Sequence, residues 1–135
     1  MNLIEIHFDG GCKPTNPGNK YGSFEVQLDG VVVFKAQRIA LGWGTNNEAE
    51  YDILLEALKQ TVNNLYVAGL EPLNYEVQMF TDAMIVARRI ESRNIGKGDA
   101  RMRQLAVQCL TRLKQFKRWR ITWRGRQANV DRFDH

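Results

Sequence analysis

The chain has 135 residues, 44% of them hydrophobic and 25% charged, a composition typical of one globular domain spanning residues 1–135. No apolar run approaches the ~20 residues that cross a bilayer, and no basic segment precedes an apolar run at the N-terminus. The net charge is +4 and the two cysteines are far apart in sequence. We therefore expect a cytoplasmic protein with reduced thiols, no membrane association and no signal peptide.

Positive charge is concentrated near the C-terminal end of the chain. Seven cations and no acid lie from Arg112 to Arg126, interleaved with two tryptophans. A basic stretch with aromatic residues is typical of a phosphate-binding surface. A solvated helix end that runs into an edge strand protected by charge would have the same composition, so both interpretations stay open here.

The first third of the chain predicts three antiparallel strands. Apolar residues alternate over three segments, 3–9, 21–28 and 31–34. Asp29-Gly30 is typical of a two-residue hairpin turn, and residues 12–20, rich in Pro, Asn and Gly, predict a loop. An extension of the third strand through Ile39 is left open, and Gly42-Trp43-Gly44 then interrupts the pattern.

The remainder predicts helices that alternate with strands. Thr45 and Glu48 have the spacing of a capping box at the start of a helix that ends near Gly69. The later elements are a strand over 76–80, a helix over 83–90, a loop over 94–98, a helix over 102–116, a strand over 119–123 and a short helix over 128–134. This order predicts an α/β fold: a five-stranded mixed sheet with helices packed on it.

Two aspartates end predicted strands. Asp9 follows the first strand directly, and Asp82 follows the fourth. Ligands bind at the carboxyl ends of strands in an open α/β sheet, so we expect these residues at one edge. Two carboxylates that lie close together repel each other, and a divalent cation offsets that repulsion.

A third carboxylate is expected from the first long helix. Glu48 has a structural role at the capping position, whereas Glu50 shares the apolar stripe of Ile53, Leu54 and Ala57. An acid on a buried stripe is unfavourable unless it is paired or binds a metal, so Glu50 is the candidate ligand. Either of two C-terminal acids, Asp131 or Asp134, is a candidate for a fourth, and each would also suit the first turn of a helix.

These motifs resemble the type 1 ribonucleases H across essentially the whole chain. The opening Asp9-Gly10-Gly11-Cys12 with Asn16-Pro17-Gly18 is similar to the family's first motif. The stretch 45–51, TNNEAEY, resembles the TNNxAEY signature, in which the second acid is catalytic. Thr81-Asp82 at a strand-to-helix junction is similar to the third motif. The short 94–99 connection resembles the compact subgroup, which lacks a basic protrusion.

The resemblance implies a ribonuclease H-like fold and the following site. Asp9, Glu50, Asp82 and Asp131 would bind two Mg²⁺ ions, with Mn²⁺ as an alternative, and would catalyse hydrolysis of the RNA strand of an RNA–DNA hybrid. The products would carry 5′-phosphate and 3′-hydroxyl ends. Asp131 is favoured over Asp134 because it fits the last motif without a gap. The implied substrate-binding residues are Gly10, Gly11, Cys12, Asn16, Thr45, Asn46, Asn47 and Arg124, and the protein would be a monomer.

Several departures from the family pattern keep other functions open. Ala83 stands where a serine is usual, and the histidine that many members place before the last acid is absent, with Arg124 the candidate for that role. A non-cleaving nucleic-acid-binding domain of the same fold is the main alternative. A nuclease of the same fold that acts on branched DNA is a third reading, against which the TNNEAEY stretch argues.

Overall fold

The structure of the chain is a computed structural model in which residues 2–93 and 99–134 are described. The predicted loop over 94–98 lies outside these residues. The elements are β1 (Leu3–Lys13), β2 (Gly18–Leu28), β3 (Val31–Gly44), α1 (Asn46–Val67), a 3-10 turn (Pro72–Asn74), β4 (Glu76–Thr81), α2 (Met84–Ser92), α3 (Ala100–Leu113), β5 (Arg118–Trp123) and α4 (Arg126–Phe133). No helix in the described ranges combines the length and the apolar character needed to cross a bilayer.

The five strands form one mixed sheet in the order β3-β2-β1-β4-β5. The first three strands pair antiparallel, while β1 with β4 and β4 with β5 pair parallel. The predicted α/β fold with a five-stranded mixed sheet is therefore confirmed. Because β1 and β4 are neighbours, His7 in the middle of β1 pairs with Phe80 near the carboxyl end of β4. This pairing brings the segments that carry Asp9 and Asp82 to the same edge.

The core lies between the sheet and the long helix α1. Alternate β1 residues, Ile4, Ile6 and Phe8, are buried there because the two-residue strand period places them on one face. Helix α1 begins with the predicted capping box: the backbone N–H groups of Thr45 and Glu48 each donate to a side-chain oxygen of the other residue, both at 3.2 Å. The cap sets where the helix begins and therefore which of its residues face the sheet.

The opposite face of the sheet is contacted by the C-terminal helix α4. Arg132 of α4 forms an ion pair with Glu25 of β2, with 2.8 Å between Nε and Oε2. Side chains of β3 then donate to the last carbonyl groups of the helix, Lys35 to Arg132 at 3.0 Å and Gln37 to Phe133 at 2.8 Å. Cationic and amide donors satisfy carbonyl groups that a helix end leaves unpaired.

Two boundaries predicted from the sequence were wrong. Residues 12–20 are not all loop, because Cys12 and Lys13 extend β1 and pair with Lys20 and Asn19 of β2. The Gly42–Gly44 segment does not end the third strand but continues β3 against Gly18–Lys20. Ladder hydrogen bonds depend on a partner backbone, and this pairing between distant segments has no signal in the local alternation of side chains.

Candidate metal centre

Three carboxylates meet at the edge of the sheet where β4 ends, beside the middle of β1. Asp9 lies on β1, Glu50 lies in the second turn of α1, and Asp82 follows β4 directly. One oxygen of each lies within 4.8 Å of the others. Asp9 and Glu50 are buried, and Asp82 is half-buried. The structure thus brings together the three acids that the sequence motifs single out.

Gly10 allows α1 to approach β1 closely enough to complete this cluster. A β-carbon on Gly10 would lie 2.6 Å from the Ala49 carbonyl carbon and 2.8 Å from the Glu50 nitrogen. The Gly10 backbone N–H donates to the Glu50 carboxylate. A side chain at this position would therefore separate the strand from the helix that carries the second acid.

Two further side chains hold the acids in place. The Thr81 hydroxyl lies 3.5 Å from Glu50 Oε2 and accepts a 3.0 Å hydrogen bond from the Ala83 N–H. The Trp123 indole Nε1 donates to the Asp82 carbonyl oxygen at 3.1 Å, which ties the end of β5 to the residue that ends β4. The sequence placed Thr81 in the third motif but predicted no role for its side chain. Trp123 had no local signal, because its partner comes from another strand.

The electrostatics of the cluster favour a bound cation. Burial, followed by the charge of Asp82, raises the pKa of Asp9 to about 7. Burial and the charges of Asp9 and Asp82 raise the pKa of Glu50 well above its usual range. Glu50 and Asp9 are also side-chain hydrogen-bond partners, an arrangement that keeps the proton on Glu50 and favours ionised Asp9. An all-carboxylate donor set whose members repel one another fits a hard divalent cation.

Two arginines lie near this edge, and they have different surroundings. The predicted residue, Arg124, stacks its guanidinium 3.9 Å from the ring centroid of Phe80, and its backbone N–H donates to the Thr81 carbonyl at 2.7 Å. The charge of Arg126, in contrast, acts on Asp9 and lowers the pKa of that carboxyl. Arg126 was not among the predicted site residues, since only the start of α4 beside β1 gives it this position.

The structure does not bring Asp131 into the three-carboxylate cluster. Asp131 is exposed on α4 and accepts a 2.8 Å hydrogen bond from Gln127 Nε2. It is two residues from each of the buried Asn129 and Phe133, and at roughly 100° per residue this places it on the opposite side of the helix. Asp134, the competing candidate, is the exposed C-terminal cap of α4, and its carbonyl accepts from Arg38 at 2.7 Å.

The predicted substrate-binding residues around the first motif form one hydrogen-bonded group. The Cys12 N–H donates to Asn46 Oδ1 at 3.0 Å, and the Asn46 N–H donates to Asn16 Oδ1 at 3.1 Å. The Cys12 thiol lies 3.1 Å from the same Asn46 oxygen. Both side-chain carbonyl oxygens are thus used within the protein, and they join the 12–16 segment to the start of α1.

The other predicted substrate-binding residues adjoin this group. A β-carbon on Gly11 would lie 2.8 Å from the Tyr21 hydroxyl, so Gly11 leaves the backbone surface open beside that ring. The Thr45 hydroxyl accepts the Glu48 N–H, which gives Thr45 a structural role in the cap. Asn47 is half-buried in the first turn of α1.

No protein-family model and no curated protein matches the chain. Solved structures do match it along almost its whole length. Ribonuclease H1 from the halophilic archaeon Halobacterium salinarum is 26% identical at a TM-score of 0.80, with 98% of this chain and 92% of that chain covered. An N-terminal RNase H domain from Mycobacterium tuberculosis is 25% identical at a TM-score of 0.81, with 97% and 88% covered.

A third similar structure is that of LC11-RNase H1, a protein isolated from compost by a metagenomic approach, in complex with an RNA/DNA hybrid. Its identity is 20% at a TM-score of 0.81, with 97% of this chain and 91% of that chain covered, so this likeness is one of fold. Helix α2 ends at Ser92 and α3 begins at Ala100, so seven residues separate the two helices. By its fold and along nearly its whole length, the chain is similar to these ribonuclease H1 structures and has a ribonuclease H-like α/β fold.

Proposed function

We propose that the chain is an endoribonuclease that hydrolyses the RNA strand of RNA–DNA hybrids. The observation that carries this proposal is the meeting of Asp9, Glu50 and Asp82, from three separate elements, within 4.8 Å. Mutual repulsion and burial make such a cluster unfavourable without a cation, so its presence favours a catalytic metal site over a pure binding surface. The hybrid bound by LC11-RNase H1, a protein of the same fold, supports the choice of substrate.

The three carboxylates would hold two divalent cations, Mg²⁺ in our proposal and Mn²⁺ as the alternative. When bound, such ions lower the pKa of a water that attacks the phosphodiester in line, and they stabilise the departing 3′ oxygen. Asp9 and Glu50 contribute by positioning rather than by nucleophilic attack. Glu50 must release its proton to become a ligand, and the Gly10 N–H stabilises the ionised form that remains.

The surrounding residues would orient the substrate. Asn16 and Asn46 use their side-chain oxygens within the protein, which directs their NH₂ donors away from those contacts and makes them available to a nucleic-acid strand. Gly10, Gly11 and Cys12 have no side chain or a small one, so a nucleic-acid strand could approach their backbone closely beside these donors. Such contacts read 2′-hydroxyls, sugars and phosphates and therefore sense shape instead of base sequence. The bond between phosphorus and the 3′ oxygen would break, giving 5′-phosphate and 3′-hydroxyl ends.

Asp131 remains our candidate for a fourth ligand on the resemblance alone. In this structure its carboxylate is bound to Gln127 and faces away from the buried side of α4, so it would have to change partners to join the site. Comparing Asp131→Asn with Asp134→Asn for cleavage and for Mg²⁺ affinity separates the two candidates. If neither substitution changes Mg²⁺ affinity, the site is a three-carboxylate centre.

The first experiment is cleavage of a labelled RNA–DNA hybrid with Mg²⁺, with the same RNA as a single strand and as an RNA duplex beside it. We expect cutting of the hybrid alone, its loss with EDTA, and a loss of roughly a thousandfold in Asp9→Asn. The circular dichroism spectrum of Asp9→Asn checks that the variant is folded. Equal cutting of all three substrates, or cutting in EDTA, would contradict the proposal.

A non-cleaving nucleic-acid-binding domain is the second candidate function. The position of Asp131 favours it, because the predicted fourth acid does not face the cluster. Retained hybrid binding without cleavage in Mg²⁺ or Mn²⁺ would establish this alternative. Asp9→Asn would then leave binding intact or strengthen it, since one repelling carboxylate is removed from the phosphates.

The organisation of the protein is also proposed. A continuous core that joins the sheet to α1, α2 and α3 supports the prediction of one domain over 1–135. The monomeric state and the cytoplasmic location stay predictions. Size-exclusion chromatography with light scattering tests the first, and fractionation of cells tests the second.

A further inference from the structure

The last third of the chain carries positive charge that the metal centre does not account for. From Ala100 to Arg126 there are nine arginines and lysines and no acid. Only the last two cations, Arg124 and Arg126, lie beside the carboxylates at the carboxyl end of β5. The others are distributed over α3, the turn after it and the strand β5 itself. Their placement therefore needs a separate explanation.

Many of these cations surround the outer edge of the sheet, which is strand β5. Two clefts, of about 310 and 260 Å³, lie along this edge and share Trp119 in their linings. The first is also lined by Arg118 and Arg120, and the second by Arg93 and Lys114. We call the exposed cations Arg93, Lys114, Lys117 and Arg120, together with Trp119, the β5 edge surface.

The cations of this surface are arranged for an external anion. The Arg93 guanidinium lies 4.4 Å from the centroid of the Trp119 ring, a contact that reduces the freedom of the guanidinium while leaving the residue exposed. In the described part of the chain, no acid forms an ion pair with Lys114, Lys117 or Arg120. Arg118 differs, because Glu76 lies 3.1 Å from its Nε.

Protection of an edge strand explains only part of this surface. Charged side chains on an outer strand prevent pairing with another chain, and Arg118 and Arg120 on β5 suit that role. Arg93 follows α2 and Lys114 caps α3, so neither is on the strand that would need protection. Exposed cations from three elements thus lie along this edge of the sheet, with Arg120 on the opposite strand face from Trp119. Their position without acidic ion-pair partners in the described residues favours a polyanion as the occupant.

We propose that the β5 edge surface binds backbone phosphates of a nucleic-acid duplex that continues beyond the metal centre. The proposal rests on the proposed function, because it takes the duplex to be the hybrid substrate. At about 3.3 Å per residue, Arg118 lies roughly 17 Å along β5 from Trp123, which contacts Asp82. In this proposal the duplex runs along β5, so it extends roughly five base pairs past the carboxylates to reach the far end of this surface.

This distance predicts an effect that depends on the length of the hybrid. The test variant is Lys114→Gln/Arg120→Gln, and the matched control is Lys59→Gln/Arg101→Gln, which also removes one exposed lysine and one exposed arginine. The control residues line a different cleft, between α1 and α3. Binding is measured in EDTA by fluorescence anisotropy over a series of salt concentrations, so that no cleavage occurs. Thermal melts check that both variants are folded.

For a hybrid of about twenty base pairs, the test variant should bind roughly tenfold more weakly, and the slope of log K against log salt should fall by about 2. For a hybrid of about eight base pairs, centred on the metal site, binding should change less than about twofold. The control should change neither. Equal losses in variant and control, or equal losses at both lengths, would overturn the proposal.

Two more arms identify the ligand and separate this proposal from the proposed function. The short hybrid is extended either with a single-stranded overhang or with more duplex, and the affinity of the test variant is measured for each. A loss of affinity for the hybrid with the overhang alone would overturn the duplex proposal. Because the readout is binding in EDTA, it does not depend on catalysis. If the protein does not cleave but the test variant shows the length-dependent loss of affinity, the proposal for the β5 edge surface stands and the proposed function fails. If the protein cleaves but the variant shows no such loss, only the proposed function stands.

Discussion

Gly10 of β1 lies directly against Ala49 of α1, so that a β-carbon on Gly10 would fall 2.6 Å from the Ala49 carbonyl carbon. The contact is between backbones, and neither side can move aside as a flexible side chain would. Gly10→Ala should therefore push the start of α1 away from β1, and Glu50 with it. We expect a loss of about 1–3 kcal/mol in the free energy of unfolding and a marked loss of Mg²⁺ affinity.

Gly22→Ala is the matched control for this prediction. Gly22 pairs with Gly10 across the β1–β2 ladder, and a β-carbon there would lie 2.6 Å from the Ile53 side chain. This substitution should also destabilise the fold, but it should leave the acids of the folded protein in place. Denaturant unfolding and Mg²⁺ titration by calorimetry measure the two quantities. Equal Mg²⁺ affinity in both variants would show that Gly10 does not position Glu50.

The raised pKa of Asp9 predicts how the stability of the metal-free protein depends on pH. Its value of about 7 in the folded state exceeds the ordinary 3.8, so the folded protein holds a proton that the unfolded chain releases between these values. The Asp9 contribution to stability is thus lost as pH rises from about 4 to about 7, by at most about 4 kcal/mol. Glu50, whose pKa is also raised, adds a loss of the same sign.

The Asp9 contribution should be absent in Asp9→Asn, which keeps only the dependence due to Glu50, and it should be offset by Mg²⁺ in the wild type. Mg²⁺ binds the ionised carboxylates of the folded state, so it should raise the melting temperature more at pH 7.5 than at pH 5. Differential scanning calorimetry of both proteins, with Mg²⁺ and with EDTA, gives four curves at each of the two pH values. An equal effect of Mg²⁺ at both pH values would argue against Asp9 as a ligand.

The different positions of Arg124 and Arg126 predict different effects of their substitution. Arg126→Gln should raise the pKa of Asp9 further in the metal-free protein, because the arginine charge lowers it. Arg124→Gln should instead remove the contact with the Phe80 ring, at a cost of about 0.5–1 kcal/mol in unfolding free energy. Carboxyl carbon NMR titration follows Asp9 in each variant. If the Asp9 pKa shifted more in Arg124→Gln than in Arg126→Gln, Arg124 and not Arg126 would be the arginine whose charge acts on Asp9.

The ion pair between Arg132 and Glu25 predicts a second, opposite dependence on pH. Burial acts to raise the pKa of Glu25, but hydrogen bonds from Gln27 and Arg132 and the arginine charge lower it overall. A lowered folded-state pKa contributes stability above the ordinary value of 4.5, and that stability is lost as pH falls through the folded-state value.

Arg132→Met should therefore cost about 1–3 kcal/mol at pH 7, and the cost should shrink as pH falls through the lowered folded-state pKa of Glu25, because the protonated carboxyl no longer forms the ion pair. Hydrogen exchange should show the largest increase in α4, whose attachment to the sheet depends on this pair. Lys35→Met is the comparison variant: it removes the hydrogen bond to the Arg132 carbonyl, the contact with the Phe133 ring and a smaller charge effect on Glu25, but it leaves the ion pair in place. A loss of stability equal at both pH values would show that packing, not charge, explains the effect.

Local patterns in the sequence were sufficient for the acids of the first three motifs. An apolar alternation that ends in Asp places Asp9 on its strand and Asp82 directly after its strand, because the two-residue period is a property of the strand itself. The alternation did not show that β1 continues past Asp9 to Lys13. The cap at Thr45 sets where α1 begins, and the helical period then places Glu50 on its buried stripe. Each inference needed only residues within about one turn or one strand.

The tertiary structure alone decided which of these local features meet and which side of α4 faces the sheet. The parallel pairing of β1 with β4 joins residues about seventy positions apart, and no local pattern specifies it. The same holds for the contact of Trp123 with Asp82, the action of Arg126 on Asp9 and the outward position of Asp131. Periodicity determines the faces of one element, whereas contacts between elements depend on how several of them pack at once.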